Sequence, residues 1–118
     1  MIEELVCKVF CDRNTAHLQH WNTPSYAQHM ALNSFYDDVI SDIDEIVEVY
    51  QGLFGKIKVK TVPEAKRAAN ITTALEDSAI WIAENRKEIC KGVSTLENLV
   101  DNLTGTYFQT LYKLKNLQ

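Results

Sequence analysis

Residues that interrupt helices are scarce in this chain, with four glycines and two prolines among 118 residues. That leaves long stretches free to be helical. A basic excess is missing too. Lysine and arginine number 12 against 16 aspartates and glutamates, a net charge of -4, with a pI near 5.3. This argues against a nucleic-acid surface, whose mark is positive charge. No apolar run approaches the roughly 20 residues of a membrane span. Cysteine occurs three times, at Cys7, Cys11 and Cys90. An odd count without framework spacing argues against a secreted disulfide scaffold. The start, Met1-Ile2-Glu3-Glu4, lacks the positive region of a signal peptide, so a reducing cytoplasm is the expected home. The cysteines read as small hydrophobes of a core or interface. Cys7 and Cys11 stand one helical turn apart, but neither a second Cys pair nor a nearby His completes a thiol metal site.

What is present is periodicity. Val6, Val9, Phe10, Arg13, Ala16, His17 and His20 recur at spacings of three and four, one stripe of a helix over about 3–21. Thr23 is the expected N-cap and Pro24 the first residue of a second helix over about 24–51, with Gly52 as its left-handed stop. So short a turn makes the pair an antiparallel hairpin. Residues 52–62 alternate lysine with apolar residues and read as an extended crossover, since no second strand exists to pair with them. Pro63 opens a short helix to about residue 70. A third helix covers about 73–91, with Leu75, Ala79, Ile82 and Ile89 near one face, and ends at Gly92. Ser94-x-x-Glu97 reads as a capping box before a fourth helix over about 95–116. That helix buries Leu96, Leu99, Val100, Leu103, Tyr107, Leu111 and Leu114, and Gly105 inside it marks a close helix contact. The expected fold is all-α: a single domain over 1–118, an antiparallel four-helix bundle of ferritin-like topology, with a long crossover holding a short helix between the second and third helices.

The chemistry-bearing residues are clustered. All three histidines, His17, His20 and His29, lie within 13 residues, and Asp44-x-x-x-Glu48 begins 15 residues after the last of them. Imidazoles with carboxylates suit a borderline metal such as iron or zinc. His20 and His29 flank the hairpin turn at similar levels. On one straight helix, however, His29 and Asp44 would be about 22 Å apart. Two copies packed antiparallel about a two-fold axis would bring the His end of each against the acid end of the other. His17 is then an outer residue or an extra ligand, and Asp37 or Asp38 the partner that sets an imidazole tautomer.

The stretch His20-Trp21-Asn22, followed by His29, Asn33, Phe35-Tyr36-Asp37-Asp38, Asp44 and Glu48, resembles the Dps family of ferritin-like proteins, chiefly over residues 10–52. The resemblance implies an inter-subunit ferroxidase centre. His20 and His29 would face Asp44 and Glu48 of the two-fold mate, and Trp21 would sit beside the iron to intercept stray oxidising equivalents. It also implies oxidation of Fe(II) by peroxide or oxygen, iron storage in a dodecameric shell and protection from oxidative stress. The sequence departs from the family in three ways: a His20–His29 interval three residues short, Asn33 where an acid is usual, and no lysine-rich N-terminal arm. DNA binding is therefore not expected.

Other readings stay open. No Glu-x-x-His occurs, which excludes the di-iron site of a single ferritin bundle. A Mg-dependent all-α nucleotide pyrophosphohydrolase would use Glu45-x-x-Glu48 with a later acid pair, Glu84 with Glu88 or Glu97 with Asp101. A bundle with a degenerate site would serve as an assembly or interaction module. Lys56, Lys58, Lys60, Lys66 and Arg67 form a basic cluster that reads as a solvated crossover.

Overall fold

A computed structural model describes residues 1–60 and 70–117. They form four helices: α1 (Ile2–Asn22), α2 (Tyr26–Phe54), α3 (Ile71–Cys90) and α4 (Ser94–Asn116). No strand occurs among the described residues, in keeping with the all-α expectation. α1 and α4 each pack against both α2 and α3, so the helices surround one core in the order α1–α2–α4–α3. The short helix expected between residues 63 and 70 falls almost wholly outside the described residues. Of that span only Asn70 is described, and its side chain caps α3 by accepting from the Thr72 and Thr73 amides.

The core follows the apolar stripes. Leu5 and Val9 of α1, Leu32, Phe35, Val39 and Ile46 of α2, Leu75, Ala79 and Ile82 of α3, and Val100, Leu103 and Tyr107 of α4 are fully buried. Each large side chain there contributes about 1.5–3 kcal/mol relative to exposure. Leu99 and Leu114 are only half-buried.

A polar cluster crosses this apolar centre. Tyr107 Oη donates to Asp12 Oδ2 at 2.6 Å, joining α4 to α1 through the middle of the bundle. Ser78 of α3 also hydrogen-bonds Asp12, and burial pushes the Asp12 carboxyl above its usual range despite these bonds and nearby Lys8. Burial likewise drives the Tyr107 phenol well above its ordinary value. The Tyr107 ring meets Phe35 of α2 edge-on at 5.0 Å between centroids. No buried side-chain nitrogen or oxygen among the described residues lacks a partner, as a low-dielectric interior requires.

Several helix ends differ from the sequence expectation. α2 begins at Tyr26, not Pro24, because Ser25 is the N-cap and its hydroxyl accepts from the Gln28 amide at 3.1 Å. Thr23 instead closes α1, its amide bonding to the Gln19 carbonyl. α2 runs through Gly52 to Phe54, and the left-handed backbone falls at Gly55, where φ is 97°. The extra turn is held by Lys91, whose ammonium lies over the Tyr50 and Phe54 rings. The capping box does not form. Val93 occupies the N-cap without a side-chain bond, and the Glu97 carboxylate accepts from Arg86. Gly105 marks no close contact, since it is exposed and an added Cβ would meet nothing within 4 Å.

Two stability changes are expected. Gly105→Ala should stabilise by about 1 kcal/mol through helix propensity alone, raising the thermal midpoint by about 3–5 °C. Tyr107→Phe should lower stability by about 1–3 kcal/mol, because Asp12 keeps its burial and loses a donor. Circular-dichroism melts and urea titrations check both.

Candidate functional site

The turn between α1 and α2 is closed by two histidines in a reciprocal arrangement. His20 Nδ1 lies 2.7 Å from the His29 carbonyl oxygen, and His29 Nδ1 lies 2.8 Å from the His20 carbonyl oxygen. A carbonyl only accepts, so both Nδ1 atoms carry the proton and donate. Each imidazole in its neutral form therefore has Nε2 as its basic nitrogen. The rings stack face to face, 3.6 Å between centroids and 19° between planes. His20 is buried and His29 half-buried. A single tautomer, held by a backbone carbonyl on the far nitrogen, is how proteins prepare an imidazole to bind a metal. The acids Asp37 and Asp38, expected to set the tautomer, are exposed and are not the partners of either Nδ1; the backbone takes that role.

His17 lies one turn below His20. Its ring stacks on Tyr36 at 4.0 Å and 12° and leans on Trp21 at 4.5 Å. Burial, followed by Arg13 and His20, holds its imidazole below the ordinary value, against an opposing pull from Asp37. Tyr36 donates to Asn33 Oδ1 at 2.7 Å, and the Arg13 guanidinium lies over the Tyr36 ring. This Arg13–Tyr36–His17–Trp21 stack was not anticipated, although Arg13 and His17 at i, i+4 and Asn33 and Tyr36 at i, i+3 carry its spacing. Trp21 is 67% exposed, and Leu18, Tyr26 and Met30 at the same hairpin end are exposed as well.

Asp44 and Glu48 lie at the other end of α2. Both are exposed and line a depression of about 470 Å³ with Val6, Phe10, Ile57 and Val59. They share an uninterrupted helix with His29, so the 15-residue separation of His29 and Asp44 remains about 22 Å. Among the described residues no three His, Cys, Asp or Glu side chains gather into a metal-binding group. One copy brings the two histidines together and the two acids together, but not the two pairs. The later acids proposed for a pyrophosphohydrolase are engaged with Arg86 or exposed. Asp101 chelates Arg86 at 2.7 and 2.9 Å, which lowers its carboxyl pKa, Glu97 accepts from the same guanidinium, and Glu84 and Glu88 are exposed.

The molecule is thus an all-helical bundle carrying a histidine pair at one end of its second helix and an acid pair at the other. It belongs to a family of unknown function, DUF5856, whose model matches residues 20–114. The chain is also 27% identical over 99 residues to an uncharacterized 14.6 kDa protein of the mobD–ri intergenic region of Enterobacteria phage T4, a match covering 83% of this chain and 75% of that protein. No solved structure matches the chain. These findings overturn the membership in the Dps family inferred from residues 10–52. The physical reason is that His20, Trp21 and His29 carry a local arrangement, a hairpin closed by imidazoles, that a helical turn can build whatever its ancestry. The family match begins at His20 and so takes in His29, Asp44 and Glu48 but not His17.

The His17 environment has a measurable consequence. With its folded pKa below the unfolded value of about 6.5, the unfolded chain binds a proton first on acidification. The resulting stability is present above pH 6.5 and is lost as pH falls through the folded pKa. Proton NMR should give a His17 midpoint below 6.5, and Arg13→Gln should raise it only part of the way, since burial is the larger cause.

Proposed function

We propose that this chain binds a first-row divalent metal, iron foremost, at a site completed by a second copy packed antiparallel along α2. The observation that carries the reading is the reciprocal Nδ1–carbonyl bonding of His20 and His29, which leaves two basic Nε2 atoms on one rigid turn. Asp44 and Glu48 of the second copy supply the oxygens. Two carboxylates balance the charge of a divalent ion, and a mixed nitrogen and oxygen set suits Fe(II), with Zn(II) a competitor. Carboxylate oxygens also hold Fe(III), so the same site supports oxidation. Each Fe(II) loses one electron, and two electrons with two protons convert one hydrogen peroxide to two waters. The stripe His29, Asn33, Tyr36, Ile40, Asp44 and Glu48 is nowhere fully buried, which supports its use as a contact between copies. The exposed Leu18, Trp21, Tyr26 and Met30 add apolar area at the His end. A connection running the length of the bundle between α2 and α3 is part of this reading. Its support is the neighbour order α1–α2–α4–α3.

A second reading rests on the same bonds. The histidines staple the hairpin, and the bundle serves as an interaction module without a metal. His29→Asn separates the two, because the asparagine amide keeps a donor where Nδ1 stood and removes Nε2. Under the metal reading this variant keeps its melting midpoint and loses Fe(II) binding and peroxide-driven ferric absorbance. Mixing His29→Ala with Glu48→Ala chains should restore one intact site per mixed pair. Identical iron titrations for wild type and a His20→Ala, Asp44→Ala double variant would leave the staple reading alone.

A further inference from the structure

Cys7 and Cys11, expected in a core or interface, are only half-buried. Both open into a groove of about 560 Å³ between α1 and α3. The groove exists because α3 presents Ala74 and Ser78 there, side chains too small to fill the space. Its rim carries Glu4 and Asp77, and Trp81 forms one wall. We propose that the paired thiols of Cys7 and Cys11 bind a soft monovalent cation of the Cu(I) class.

Residues four apart on a helix hold their Cβ atoms about 5–6 Å apart on one face. Two thiolates at that spacing can grip one ion between them. Thiolate sulfur selects soft ions such as Cu(I) over Mg(II) or Ca(II). Zn(II) in a structural site takes four ligands, and among the described residues no three candidate ligands gather. A d10 monovalent ion is satisfied by two. The carboxyl groups of Glu4, Asp12 and Asp77 on the groove lining favour a cation, and Lys8, which also lines the groove and lies over the Trp81 ring at 5.0 Å, opposes one. Binding exchanges two S–H protons for one cation, so affinity rises with pH. Cys90 is not a rival: it is buried, and burial, with help from Glu97, pushes its thiol up to about 11.

Trp81 reports on this groove, and a Trp21→Phe background removes the other indole. Cu(I) is supplied anaerobically as its acetonitrile complex against the competing chelator bicinchoninate. One equivalent per chain should quench Trp81 emission. Cys7→Ser or Cys11→Ser should each weaken binding by no less than the roughly 10–100-fold that even an outer-shell loss costs, with helicity unchanged by circular dichroism. Cys90→Ala should bind Cu(I) like its parent, because that thiol is buried in the core and does not reach the groove. Undiminished quenching in the Cys7→Ser, Cys11→Ser double variant, no competition with bicinchoninate, or loss of binding in Cys90→Ala would each overturn the assignment.

Discussion

The pair of imidazole–carbonyl bonds across the first turn governs the geometry of the α1–α2 hairpin. A helix leaves its last carbonyls without partners, and His29 Nδ1 satisfies that of His20 while His20 Nδ1 bonds back to His29. The exchange ties the end of α1 to the first turns of α2 at two points rather than one. Each ring is thereby fixed in tautomer and orientation at once. The same bonds that shape the fold therefore decide which nitrogen of each neutral ring is left unprotonated. In this protein the staple of the hairpin and the proposed metal-donor pair are the same two side chains.

A second lock lies deeper. Tyr107 reaches Asp12 across the bundle, meets Phe35 edge-on, and through Asp12 is linked to Ser78. Residues from all four helices thus meet around one phenol. Apolar stripes tolerate sliding by a turn, because leucine and isoleucine are interchangeable partners. A buried carboxyl with specific donors is not tolerant, since misregister would leave it desolvated and unpaired. The exposed pairs add less. Arg86 with Glu97 and Asp101, and Lys115 with Glu76, connect α3 to α4, but solvent screens such contacts.

The chemistry is distributed along the bundle and not gathered in a cleft. Histidines stand at the first turn, acids at the far end of α2, and thiols in the α1–α3 groove. The length of α2 keeps the first two apart, so a single copy does not join them. None of the described helices is long and apolar enough to cross a membrane.

Much of the architecture was legible in the residue pattern. Periods of three and four placed all four helices to within a few residues, and the stripes of α3 and α4 named most of what those two helices bury, because burial of one face is a local property of spacing. The separation of His29 from Asp44 was equally legible, being a count of residues on one helix. Helix ends were less so. Ser25 rather than Thr23 caps α2, and Glu97 serves Arg86 rather than a capping box, because a side chain with two partners available chooses by tertiary position. Kinship read from a few histidines and acids did not hold, since those spacings arise from helical geometry alone. The amino-acid order by itself determined that this chain is helical, where its apolar faces lie, and that its imidazoles and acids cannot meet within one copy. Only the folded structure decided that the imidazoles hold each other's carbonyls, that Asp12 lies under Tyr107, and that Cys7 and Cys11 open into a groove. Those contacts join residues on different helices, and no repeat along the chain encodes them.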